Sequence, residues 1–174
     1  MYPDVILLNG TGSSGKTSVA KILQETLKTQ YLNFSIDSVL YALPPTDLQA
    51  MIQGAPITRD GYDYANLVKG YHLCLPGLIQ ANCRLIIDNA WIDKQEIDAL
   101  LALLEPYHVI KIGVHCELNV ANQREKDRGD RAIGLAAYEY PLVHQNIDYD
   151  LVVDTSTKSP EQAAEEIVAF LKHN

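Results

Sequence analysis

The chain has 174 residues, 47% of them hydrophobic and 21% charged. That is enough apolar material for one core and too little length for two ordinary domains, so residues 1–174 are expected to form a single domain. A formal net charge of -8 argues against a nucleic-acid binder, because phosphate backbones reward clustered cations over an acidic surface, and no nucleic-acid partner is expected.

In chain order, residues 4–9 form a short apolar run of the kind buried on both faces of a parallel sheet. The run enters a glycine-rich turn, and a helix is predicted over 16–28. Further strand-like runs lie at 31–37, 84–88, 109–115 and 150–154. Helical apolar spacing predicts helices over 62–81, 94–105, 118–126, 134–145 and 160–172. The last has a start signal: Ser159 caps it, Pro160 suits its first position and Gln162 completes a capping box. The segment 43–63 carries Pro44, Pro45, Gly54, Pro56 and Gly61 and is expected to be the least regular part, a flap within a substrate-side segment of about 38–82. Alternation of strands and helices means α/β with a parallel sheet.

Cys74, Cys83 and Cys116 have no spacing suited to zinc or redox chemistry and are expected to be buried and reduced. The first residues lack a basic region ahead of an apolar stretch, and no apolar run approaches membrane-spanning length. A soluble, cytoplasmic protein without a membrane partner is the expectation, and a homo-oligomer is compatible with the sequence.

Gly10-Thr11-Gly12-Ser13-Ser14-Gly15-Lys16-Thr17 fits the phosphate-loop pattern G-x-x-x-x-G-K-[ST], between a predicted strand and a predicted helix. Glycines let successive backbone N–H groups turn inward onto phosphates, and the helix start adds its positive end. In that pattern Lys16 reaches the outer phosphates of ATP and the Thr17 hydroxyl ligates magnesium; Ser18, next along the helix, joins the nucleotide-binding candidates. A solvated Gly/Ser turn is the plain alternative.

Asp37 closes the second predicted strand, where the carboxyl ends of a parallel sheet face the ligand crevice. There it reads either as the base that takes a proton from an acceptor hydroxyl or as a helix cap. Asp88 ends the apolar run at Leu85, Ile86 and Ile87, the pattern of a magnesium-holding aspartate. Arg124, Arg128 and Arg131 crowd into one stretch of an acidic chain. With Gly129 breaking the helix they read as a short lid, about 124–134, that neutralises the transferred phosphoryl group. A solvated face paired with Glu125, Asp127 and Asp130 is the alternative.

Across most of its length the chain resembles the chloramphenicol phosphotransferase family of P-loop kinases, which are related to nucleoside monophosphate kinases. The likeness rests on the strand and loop from Ile6 to Thr17, on Ile36-Asp37-Ser38 and on Ile86-Ile87-Asp88. It is densest in the C-terminal third, in Ile112-Gly113-Val114-His115-Cys116, Arg124, Arg128-Gly129-Asp130-Arg131, Leu142-Val143-His144, Tyr149-Asp150 and Val153-Asp154-Thr155. The resemblance implies a three-layer P-loop kinase fold with a five-stranded parallel sheet and a short arginine-bearing lid. It implies an ATP- and Mg2+-dependent O-phosphotransferase acting on a small-molecule hydroxyl, with Asp37 as base and Lys16, Arg128 and Arg131 acting on the phosphates. Arg124 would bind nucleotide. Thr155, opening the loop 155–159, matches the place where related kinases rest the adenine ring, and the same composition suits a turn before the capped helix. His144 looks like a family signature with a structural hydrogen bond.

Asn89 follows Asp88 where the antibiotic kinase has a second aspartate, and 41–81 resembles it little. The acceptor is therefore open between chloramphenicol-like compounds and shikimate, gluconate or nucleoside-type metabolites. A regulatory ATP binder without turnover is the non-enzymatic alternative. Between Ser38 and Asn82 the cations are Arg59 and Lys69, which favours a neutral acceptor. Tyr41, Tyr62, Tyr64, Tyr71 and Trp91 either line its pocket or pack the core.

Overall fold

The structure, a computed structural model, describes residues 2–53, 55, 60–61, 63–128 and 133–173. Five strands, β1 (Val5–Asn9), β2 (Leu32–Asn33), β3 (Leu85–Asn89), β4 (Val109–His115) and β5 (Leu151–Asp154), make one parallel sheet in the order β2-β3-β1-β4-β5. The helices are α1 (Lys16–Thr26), α2 (Ile36–Leu40), α3 (Pro45–Ile52), α4 (Tyr64–Gln80), α5 (Lys94–Leu104), α6 (Leu118–Arg128), α7 (Leu135–Glu139) and α8 (Pro160–His173).

Strand periodicity builds the three layers. Ile6 and Leu8 of β1 pack with Val19 and Leu23 of α1 and Ile167 and Leu171 of α8. Val5 and Leu7 point the other way, to Leu75 of α4 and Leu100 and Leu104 of α5. Because both faces are covered, β1 needs no polar alternation, and each fully buried Leu or Ile contributes roughly 1.5–3 kcal/mol. The order of strands reverses at β1, so the crevice at its carboxyl end opens beside β3 and β4.

Residues 31–37 shorten to a two-residue β2. Phe34 still donates to the Ile86 carbonyl at 2.9 Å, but the Ser35 amide turns to Ser38 Oγ at 3.3 Å and starts α2. Asp37 therefore sits in the first turn of a helix rather than at a strand end, and the capping position belongs to Ser35. The proline-rich segment contains α3, because Pro45 occupies a first-turn position where a missing N–H costs nothing. The helix predicted over 134–145 is limited to α7, since Pro141 offers no N–H to the Ala137 carbonyl. At α8 the capping box forms, with Ser159 N donating to Gln162 Oε1 at 2.9 Å and Gln162 N to Ser159 Oγ at 3.3 Å. All three cysteines are free, but Cys116 alone is buried; Cys74 is on the exposed side of α4, and Cys83 is partly exposed just after that helix. No helix among the described residues is long and apolar enough to cross a membrane.

Candidate active site

The loop Gly10 to Thr17 joins β1 to α1 at the center of the sheet. Ser13 (φ 59) and Gly15 (φ 92) adopt left-handed backbone conformations, the alternation that turns neighbouring N–H groups toward one anion. Gly10 tolerates no side chain, since a Cβ would meet the Val114 carbonyl oxygen at 2.3 Å. Lys16 Nζ donates to the Gly10 and Thr11 carbonyls, both at 2.7 Å, so its ammonium lies folded against the loop. Buried hydroxyls of Thr11 and Ser14 have no hydrogen-bond partner among the described residues, leaving unspent donors within the loop.

Register brings the Asp88 carboxylate to this point. Leu8 lies opposite Asp88 in the β1/β3 pairing, and Thr17 Oγ1 donates to Asp88 Oδ2 at 2.9 Å. Thr17, Ser18, Lys16, Asp37, Asp88 and Arg128 line one cavity of about 430 Å³. Its lining away from the loop is apolar, with Leu40, Tyr41, Leu48, Met51 and Ile52, while Leu135 lines it beside Gly12. Tyr41 (62% exposed) and Tyr64 (56% exposed) face the opening. Burial pushes the Tyr64 phenol up, and the carboxylates of Glu96, Asp37 and Glu139 add to the shift. Tyr71 and Trp91 belong to the core instead, and Tyr71 Oη donates to the Phe34 carbonyl at 3.0 Å. Arg59, Tyr62 and Arg131 lie outside the described residues.

The two described arginines of the predicted lid differ. Arg128 lines the cavity. Arg124 is anchored beside it, with Nη2 donating to the Thr155 carbonyl at 2.7 Å and Nη1 3.5 Å from Cys116 Sγ. The Thr155 hydroxyl lies 2.6 Å from the Ser14 carbonyl and 3.0 Å from that of His115, joining the start of the 155–159 loop to the phosphate loop. Burial raises the Cys116 thiol and the Arg124 charge partly opposes this, so Cys116 stays a neutral packing group.

Several contributing residues were not legible from sequence. Asn9, fully buried, donates to the Val143 carbonyl (2.7 Å) and Tyr149 Oη (2.9 Å) and accepts from Trp91 N (2.9 Å), tying three segments beneath the loop. His144 Nδ1 pairs with Tyr149 Oη at 2.8 Å, the hydrogen bond expected of it. Gly113 is required beside this network, because a Cβ there would lie 2.9 Å from the Tyr149 ring. Glu139 lines the cavity and accepts from Gly12 N at 2.6 Å. A polar residue closing an apolar strand was the available signal for Asn9; Glu139 gave none.

Comparison with known proteins agrees with this geometry. A proposed O-phosphotransferase found in two strains of Mycobacterium tuberculosis is 28% identical over 180 residues, covering 94% of this chain and 80% of that protein. Among solved structures, the fold is similar to a sugar kinase from Janibacter sp. (TM-score 0.72, 20% identity, 97% of this chain and 94% of that one). It is also similar to a gluconokinase from Sinorhizobium meliloti (0.69, 18%, 99% and 93%) and to the APS kinase of Mycobacterium tuberculosis (0.67, 14%, 98% of each). With a match over residues 3–172, the chain belongs to the chloramphenicol phosphotransferase-like protein family.

Proposed function

We propose that this protein is an ATP-dependent O-phosphotransferase that moves the γ-phosphoryl group onto the hydroxyl of a small, uncharged acceptor. The observation that carries the reading is the cavity itself, in which the phosphate loop with its Thr17–Asp88 pair and the Asp37 carboxylate share one space with an apolar wall.

The loop amides and Lys16 hold the phosphates, and Arg128 draws off charge as it develops on the transferred group. Asp37 orients the acceptor hydroxyl and takes its proton as the acceptor oxygen bonds to the γ-phosphorus and the bond to the ADP oxygen breaks, so that ADP leaves. The Thr17 hydroxyl and Asp88 carboxylate, 2.9 Å apart beside the loop, are hard oxygen donors that fit magnesium. When bound, that ion supplies charge neutralisation across the outer phosphates. Among the described residues the cations lining the cavity are Lys16 and Arg128, both assigned to phosphates. An anionic acceptor would find little to pair with on the wall of Leu40, Leu48, Met51 and Ile52, which supports a neutral, partly apolar alcohol.

The test is a screen of hydroxylated compounds, chloramphenicol included, with ATP and magnesium, reading O-phosphate by mass spectrometry. Phosphorylation of a neutral alcohol is expected. Transfer only to carboxylated or phosphorylated acceptors would overturn the acceptor class, and tight ATP binding without transfer to any compound would overturn the enzyme reading.

A further inference from the structure

Helix α7 is five residues long and has no side-chain cap of its own; its N-cap is Gly134, at φ 99. Its first amides are held from outside. Glu125 Oε2 accepts from Gly134 N at 2.7 Å and Oε1 from Ala136 N at 2.9 Å. Glu125 is only 3% exposed, and a carboxylate is tolerated at that depth because both oxygens are spent on amides. At the other end of α7, Glu139 (8% exposed) accepts from Gly12 N, the third residue of the phosphate loop. Contact there is close enough that a Cβ on Gly12 would lie 3.3 Å from the same oxygen.

Glu125 lies on α6 next to Arg124 and one turn before Arg128. Arg124 is fixed to the Thr155 loop and Arg128 lines the cavity, while Glu125 faces inward to α7. Two carboxylates at the two ends of one short helix thus connect the arginine-bearing helix to the phosphate loop. We propose that Glu139 is a positioning residue for phosphoryl transfer, holding the Gly12 amide in register with α6 through the Glu125-capped helix α7. The proposal rests on the kinase reading above and adds a residue to it.

The physical logic has two parts. Accepting the Gly12 N–H fixes the orientation of that peptide, and phosphoryl transfer is sensitive to displacements of about 1 Å. The same carboxylate brings negative charge to a loop built for phosphates, which weakens nucleotide binding. Geometry for transfer is thereby gained against ground-state affinity, so kcat and nucleotide Kd should respond to substitution in different ways.

The experiment compares Glu139→Gln and Glu139→Ala with the unaltered chain. Titration with Mg2+ and AMPPNP gives Kd, and ADP formation gives turnover, with the best acceptor from the screen or, lacking one, with water. Glu139→Gln keeps an oxygen for Gly12 N and removes the charge; Kd should fall about threefold to tenfold, with turnover within about threefold of the unaltered chain. Glu139→Ala removes both and should lose about tenfold to a hundredfold in turnover without weaker AMPPNP binding. Glu125→Ala should lose turnover similarly, and the Glu125→Ala/Glu139→Ala double variant should be no worse than about twofold below the weaker single, as for residues on one path. If Glu125→Ala does not fold by circular dichroism, Glu125→Gln, which retains one acceptor oxygen, takes its place in the cycle.

Both Glu139 variants matching the unaltered chain in Kd and turnover would overturn the proposal, as would weaker AMPPNP binding in both. Fully multiplicative losses would overturn the link through α7. An unaltered chain that neither binds AMPPNP nor forms ADP would instead overturn the kinase reading, so the two failures are told apart.

Discussion

The two halves of the cavity are built from different materials. Around the phosphate loop the lining is backbone turned by Ser13 and Gly15, with Lys16 and the Thr17–Asp88 pair. Across from it, α2, α3 and α4 supply side chains, among them Leu40, Tyr41, Met51 and Tyr64. Phosphate recognition needs a particular backbone path and so leaves a fixed spacing in the sequence. Acceptor recognition needs only apolar volume of the right shape, which many sequences supply.

That contrast can be broken by substitutions on either side. The largest effect is expected from Asp37→Asn, where turnover should fall by about two to four orders of magnitude while nucleotide affinity stays nearly intact. Steady-state kinetics beside AMPPNP titration checks it, and unchanged turnover would remove Asp37 from the mechanism. On the apolar wall, Met51→Lys should raise KM for a neutral acceptor about tenfold or more and leave KM for ATP alone, because it puts a charge on the wall proposed for the acceptor. An equal rise in both constants would mean that the two halves are not separable.

Next comes the support beneath the loop. Asn9→Ala removes three hydrogen bonds, two of them buried and the one to Tyr149 Oη partly so, and should lower the unfolding free energy by about 2–4 kcal/mol in urea melts. The smallest effect is on pH dependence. Burial, with His115 and Lys16 nearby, holds His144 below its ordinary value of 6.5, and burial does the same to His72. The unfolded chain therefore binds more protons below pH 6.5, and stability should fall as pH drops through 6.5 toward the depressed values. His144→Asn, whose amide oxygen can still pair with Tyr149 Oη, should flatten that slope between pH 7.5 and 5; an unaltered slope would take His144 out of the titration.

Legibility in the sequence follows the same division. The phosphate loop, Asp88 and strands β1, β3 and β4 were readable because buried strands and glycine-rich turns have local signatures, whereas β2, with Leu32 exposed, kept only Leu32 and Asn33 of the run expected over 31–37. Asp37 was read correctly as belonging to the crevice side but on the wrong element, since the Ser35 capping geometry that ends β2 depends on a weak serine pair. Pro44 and Pro45 suggested irregularity, although a proline in the first turn is compatible with α3. Cys74 was expected inside because cysteines usually are, yet it falls on the outward side of α4. Glu125 and Glu139 were unreadable as partners of backbone amides, because their roles arise only when α6, α7 and the loop are assembled.

As proposed, the cavity passes a phosphoryl group between two bound molecules rather than to water. Incubation with γ-labelled ATP, magnesium and a neutral alcohol from the screen tests it directly, by separating label in the alcohol's O-phosphate from label in inorganic phosphate. Most of the label is expected on the alcohol oxygen, with that product abolished by Asp37→Asn. Label found only in inorganic phosphate, whatever alcohol is supplied, would contradict it.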